Sequence, residues 1–137
     1  MPTQQVATDI NEITTKTSPL SVHDTVVRLC SEITDRHMMI FAVIDHNAEA
    51  EHAGLQLRDT TVVIFGSPAA GTPVMEFAAL AALDLPLKIL IWADGPTTKV
   101  SYTAPQALAA RYGLTEEIAR NLAGIDALTD TLIDSNY

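Results

Sequence analysis

The chain has 137 residues, 47% of them hydrophobic and 18% charged, with 17 acids against 8 bases. That length and balance fit one globular domain with a real core and exclude a disordered segment. The net charge of -9 argues against nucleic acid or an anionic membrane as partner, because phosphate binding needs clustered Lys and Arg.

A single cysteine, Cys30, allows no intramolecular disulfide and fits a reducing, cytoplasmic setting. The opening MPTQQVATDI has neither the basic start nor the apolar core of a signal peptide. No apolar run approaches the roughly 20 residues that span a bilayer.

Residues 1–8 read as a loose terminus and 9–17 as a short strand, rich in β-branched residues and polar on one face. Ser18-Pro19 breaks it. Ser21 is placed to cap a helix, with Asp24 near its positive end. Val22, Val26, Leu29 and Ile33 recur at helical spacing and define a buried stripe on a helix that ends near His37. Cys30 lies beside that stripe and reads as a small core hydrophobe rather than a reactive thiol.

Three apolar runs follow, at 38–44 (MMIFAVI), 62–65 and 87–92 (LKILIW). Strands so apolar predict cover on both faces, by helices or by a second subunit. Residues 46–54 read as a short helix capped by Asp45 or Asn47 and stopped by Gly54. Residues 72–82 read as another, with Pro73 in its first turn, and Pro86 then forces Leu85 into an extended conformation. Ala93-Asp94-Gly95-Pro96 is a turn, and 99–103 alternates as a strand paired with 87–92 in a hairpin. Pro105 starts a helix that Gly113 ends. Thr115 caps a last helix whose stripe is Ile118, Leu122, Ile125, Leu128 and Leu132. Without repeats or linkers, residues 1–137 form one domain.

Two turns carry more than a core requires. Asp45-His46 ends an apolar strand, and a carboxylate beside an imidazole suits proton transfer. The plainer reading is that Asp45 caps a helix and His46 bonds a backbone carbonyl. His46, Glu49 and His52 are the residues to weigh for a metal. On a helix the two His diverge by about 120°, so a solvated face is the expectation and no metal is assigned. The second turn, Gly66 to Pro73, resembles an anion-binding nest before a helix, with free amides near Gly71 and Thr72. It has no Gly-Lys-Ser/Thr ending, so it is not a Walker A loop, and it also reads as a plain strand–helix turn. Trp92, Tyr102 and Phe77 read as packing residues before pocket residues.

An ordered set of motifs goes further. Thr25-Val26-x-Arg28-Leu29, Val43-Ile44-Asp45-His46, Ala50, Gly54-Leu55, Phe65-Gly66-x-Pro68-x-x-Gly71-Thr72-Pro73-x-Met75 and Ala82-Leu83-Asp84-Leu85-Pro86-Leu87 precede Trp92, Tyr102, Pro105, Leu108 and Arg111. Together they resemble the bacterial domain-of-unknown-function family 302, over residues 10–113, which leaves 114–137 as a C-terminal helix outside the likeness. The resemblance implies an α+β domain with a curved, mainly antiparallel sheet of about five strands, helices on one face and a topology like the TATA-binding protein. It implies dimers and no established reaction. The family usually has Asn at the position of Ser67 and often Lys at that of Ala69, which bears on any anion-binding role of those side chains. Read without the resemblance, alternating strands and helices suggest an α/β fold with a parallel sheet.

Three functions compete. The first is a binding module in a cytoplasmic homodimer, holding a small ligand, anionic in one version, between Asp45-His46 and Gly66, Ser67, Pro68, Gly71 and Thr72. The second is an interaction dimer with no ligand. The third is an enzyme using Asp45 and His46 in acid–base or metal-assisted chemistry. The residues name no cofactor.

Overall fold

Ser18-Pro19 ends the first strand as its chemistry requires. In the computed structural model, which describes residues 12–135, β1 runs Ile13–Ser18. The terminus expected at 1–8 and the strand start expected at 9–11 lie outside the described residues. Helix α1, Val22–Asp35, begins where Ser21 Oγ accepts the Asp24 N–H at 3.1 Å. Its inner face buries Leu29 and Ile33 completely, worth about 1.5–3 kcal/mol each against exposure. The chain reverses at His37, which adopts a left-handed φ of 60°.

Next come β2 (Met39–Asp45), α2 (His46–His52), β3 (Thr60–Gly66) and α3 (Pro68–Phe77), then a 3-10 turn (Ala79–Asp84). The hairpin β4 (Leu87–Asp94) and β5 (Thr97–Thr103) follows. Helices α4 (Pro105–Tyr112) and α5 (Glu116–Ala119), a 3-10 turn (Arg120–Leu122) and α6 (Gly124–Leu132) complete the described chain. The single last helix expected over 114–137 is therefore broken, and Gly124 stands where its final segment starts.

The five strands lie in the order β1-β5-β4-β3-β2, and every neighbouring pair is antiparallel. This is an α+β domain, and the parallel alternative is overturned. The reason is local. Gly95, at φ 58°, turns β4 straight back into β5. Likewise β2, β3 and β4 pair with their neighbours in sequence, so α2 and α3 connect strand ends without crossing the sheet. Helix α1 instead carries the chain from β1 at one edge to β2 at the other.

Helices α1 and α6 pack on one face, over Val63, Phe65, Ile89, Ile91, Val100 and Tyr102. Polar contacts fix α6 there. Lys16 Nζ donates to Thr129 Oγ1 at 2.6 Å and to Asp130 Oδ1 at 2.8 Å, and Tyr102 donates to Asp126 Oδ1 at 2.5 Å. A second cluster, Val74, Ala81, Leu108 and Leu122, joins α3, α4 and the two 3-10 turns.

The other face belongs to neither cluster. The pairing puts Ala42, Ile44, Val62, Ile64 and Leu90 there, beside Trp92, and all six are half-buried. Strand β2 departs furthest from its expected cover. It is an edge strand, and Met39, Phe41 and Val43 are 50%, 49% and 48% exposed.

Candidate ligand cleft

Strand β3 alternates, sending Thr61, Val63 and Phe65 into the core, and ends at Gly66. Helix α3 starts almost at once, because the Ser67 carbonyl accepts the N–H groups of Ala70 and Gly71 at 3.0 and 2.8 Å. Pro68 occupies the first helical position, where a missing N–H costs nothing. The start expected at Thr72 is thus several residues late, and Pro73 lies inside the helix. The Gly71 amide, expected to be free in a nest, is committed to the helix. Ser67 makes no side-chain capping bond.

This early start shapes a cleft of about 280 Å3. Gly66, Ser67, Pro68, Ala70, Gly71, Thr72 and Met75 form one wall, and Leu85, Pro86 and Leu87 form the next. Phe41 of β2 and the pair Asn121 and Leu122 close the remainder. Among the described residues, no Lys, Arg, His, Asp or Glu lines it. The Leu85–Pro86 peptide is cis, and Leu85 is extended, as the proline after it requires.

The wall at Leu85 is anchored from behind. Asp84 accepts from Arg111 Nη1 at 2.8 Å and from the Tyr112 hydroxyl, while Arg111 Nη2 donates to Glu12 at 3.0 Å. Partial burial pushes the Asp84 carboxyl up, but the Tyr112 and Arg111 bonds outweigh it and hold the group below its ordinary value.

Five residues singled out in sequence, Gly66, Ser67, Pro68, Gly71 and Thr72, therefore meet at one cleft. Asp45 and His46 do not join them. Asp45 pairs with Thr61 and Met39 with Gly66, so the two turns sit at opposite ends of the β2–β3 pair. Thr61 to Gly66 is five steps of about 3.4 Å, roughly 17 Å apart. A ligand between Asp45-His46 and this loop is excluded within one chain. Both turns follow strands, and only parallel strands would bring them to the same end.

At its own end, Asp45 Oδ1 accepts the Ala48 N–H at 3.0 Å and caps α2, and Asn47 Oδ1 accepts the Thr60 N–H at 3.1 Å. His46, Glu49 and His52 are exposed on that helix. Among the described residues, no three His, Cys, Asp or Glu side chains gather as a metal site would require. Tyr102 is buried in the core, Trp92 lies on the open sheet face and Phe77 is half-exposed, so none of these aromatics lines the cleft.

Phe41 and Asn121 were not singled out in sequence. Phe41 lay hidden in a uniformly apolar run. Asn121 lies in the segment set outside the family likeness.

A family model described as "Domain of unknown function DUF302" matches residues 13–132. The chain belongs to the DUF302 family. The match includes the C-terminal helices, so residues 114–132 are part of the family's domain and not an addition to it. A DUF302 protein from Bacillus stearothermophilus, known from its crystal structure as an uncharacterized conserved protein, superposes with a TM-score of 0.76. That likeness covers 90% of this chain and 96% of the other at 16% identity, which speaks for the fold alone. Among curated proteins, the chain is 39% identical over 103 residues to "Fluoride-specific ion channel FluC 1" of Brucella suis and of Brucella abortus. The match takes in 72% of this chain but only 40% and 38% of those relatives, so the chain spans about two fifths of their length. No helix among the described residues is long and apolar enough to cross a membrane.

Proposed function

We propose that this DUF302 chain is a small-molecule-binding module and that the cleft beside α3 is its site. The observation that carries this reading is the convergence of Gly66, Ser67, Pro68, Gly71 and Thr72 on one apolar hollow. Its volume of about 280 Å3 is near the lower bound of small-molecule sites, about 300 Å3, so the ligand is small. Filling such a hollow removes apolar surface from water and draws a ligand in. The matched Brucella proteins are longer and carry a channel's name, and a module that senses a small molecule and regulates a neighbouring activity suits that setting. An acid–base role finds less support, because Asp45 is engaged as a cap and His46 is exposed far from the cleft.

A thermal-shift screen of small metabolites tests the reading. A compound at about 100 times its Kd adds about 2.7 kcal/mol of stability. Gly71→Val is the matching variant. A Cβ at Gly71 meets Met75 Cε at 3.9 Å, an ordinary contact, and both residues line the cleft, so the valine is expected to occupy it with the fold kept. The shifts are expected to vanish in Gly71→Val; shifts that survive it place the site elsewhere.

The half-buried apolar face of the sheet favours a second reading, in which a second copy of the chain covers Ile44, Val62, Ile64 and Leu90. The two readings are compatible, since none of Ile44, Val62, Ile64 and Leu90 lines the cleft.

A further inference from the structure

We infer that Phe41 determines the specificity of the cleft, selecting an uncharged molecule with a flat ring; this rests on the cleft being the ligand site. The register of β2 carries the argument. Met39 pairs with Gly66 and Ile40 with Phe65, but the next pair is Ala42 with Ile64. One residue of β2, Phe41, therefore has no partner on β3. Such a bulge leaves the extra residue outside the ladder and turns its side chain in a direction that alternation forbids. Ile40 faces the side of Phe65, Ala42 faces the open side, and Phe41 stands at the cleft.

The neighbours of Phe41 fit this use. A Cβ at Gly66 would lie 3.8 Å from Pro86 Cβ and 4.0 Å from Phe41 Cε2. The phenyl ring and the proline therefore flank a residue that has no side chain, and the floor between them is bare. Phe41 is 49% exposed and belongs to neither core cluster. Flat rings favour an aromatic wall, which holds them beyond what the area they bury supplies.

Charge decides the rest. Among the described residues, the lining offers the polar groups of Ser67, Thr72 and Asn121 and no ionised side chain. A charged ligand would leave water without gaining an opposite charge, which is costly. This turns away from the anionic ligand that the loop suggested as sequence. The volume admits a single ring-bearing molecule and not a helix, which is about 10–12 Å across.

Three nearly isosteric probes separate the claims. Benzamide is neutral and aromatic, benzoate is its anion counterpart, and cyclohexanecarboxamide is neutral with a saturated ring. Binding is read from the amide shifts of Gly66 and Ser67 in 15N-labelled protein, with Trp92 as a distant control and circular dichroism to check folding. Wild type is expected to bind benzamide roughly tenfold more tightly than benzoate. Phe41→Leu, which keeps bulk and loses the ring, should remove the preference of benzamide over cyclohexanecarboxamide. Gly71→Val should abolish all binding. Equal affinity for benzoate overturns the claim of an uncharged ligand. Unchanged ring preference in Phe41→Leu, with Gly71→Val still blocking, overturns the role of Phe41 and leaves the cleft standing. Cleft amides that ignore all three probes, or that respond equally in Gly71→Val, overturn the cleft reading itself.

Discussion

Asp45 and Asp84 both end a regular element, and their partners give them different work. Asp45 accepts one backbone N–H and starts α2. Asp45→Ala should cost about 1 kcal/mol in urea unfolding and leave cleft binding unchanged, since α2 lies at the far end of the sheet. A large loss of ligand affinity in that variant would restore Asp45 as a site residue. Asp84 instead takes bonds from Tyr112 and Arg111, which hold its pKa below the ordinary carboxylate value. A depressed folded pKa gives stability that is fully present above the unfolded value, about 4, and is lost as pH falls through the lower folded value. Unfolding measured from pH 6 downward should show that acid loss. Asp84→Asn should flatten it, with the largest difference between variant and wild type at the neutral end.

Helices and turns were legible wherever one residue's chemistry decides. Ser21, Asp45 and Thr115 cap as their side chains dictate, and Gly95 and Gly113 take the left-handed conformation at the turn and the helix end. Two prolines within one stretch were not legible in that way. Pro68 and Pro73 both suit a first helical position, and the choice falls on Pro68 because Ser67 offers its carbonyl to Ala70 and Gly71. The bulge at Phe41 leaves no mark in MMIFAVI, since every residue there is apolar whichever way it faces. Strand direction was hidden for the strands between helices, because an apolar strand there looks the same in parallel and antiparallel sheets; the Asp94-Gly95 turn showed only the β4–β5 pair as antiparallel, and the family resemblance supplied the rest. Helix α6 reads well as a stripe, and Leu128 and Leu132 are fully buried. Leu128→Ala should destabilise the protein by about 2–5 kcal/mol, measured by denaturant unfolding at constant m-value.

At the scale of the whole molecule, the described helices of the core pack on one face of the sheet and leave the apolar residues of the other half-buried. If a second copy supplies the missing cover, native mass spectrometry at micromolar concentration should give twice the chain mass. Val62→Lys, on that half-buried face, should then give a folded monomer. A wild-type monomer under those conditions would remove the dimer reading and leave the cleft untouched.

The strand order also sets a timetable for synthesis. Among the described residues, β1 has one strand neighbour, β5, and Ile13 pairs with Thr103. Within this domain the earliest described strand must therefore wait for β5 before it has a partner, while β2, β3 and β4 can pair as they emerge. Until α6 follows, the sheet's core face lacks part of its cover. A nascent chain thus exposes an unpaired strand and an open apolar surface until the last helix of this domain has emerged, which is the state that chaperones recognise.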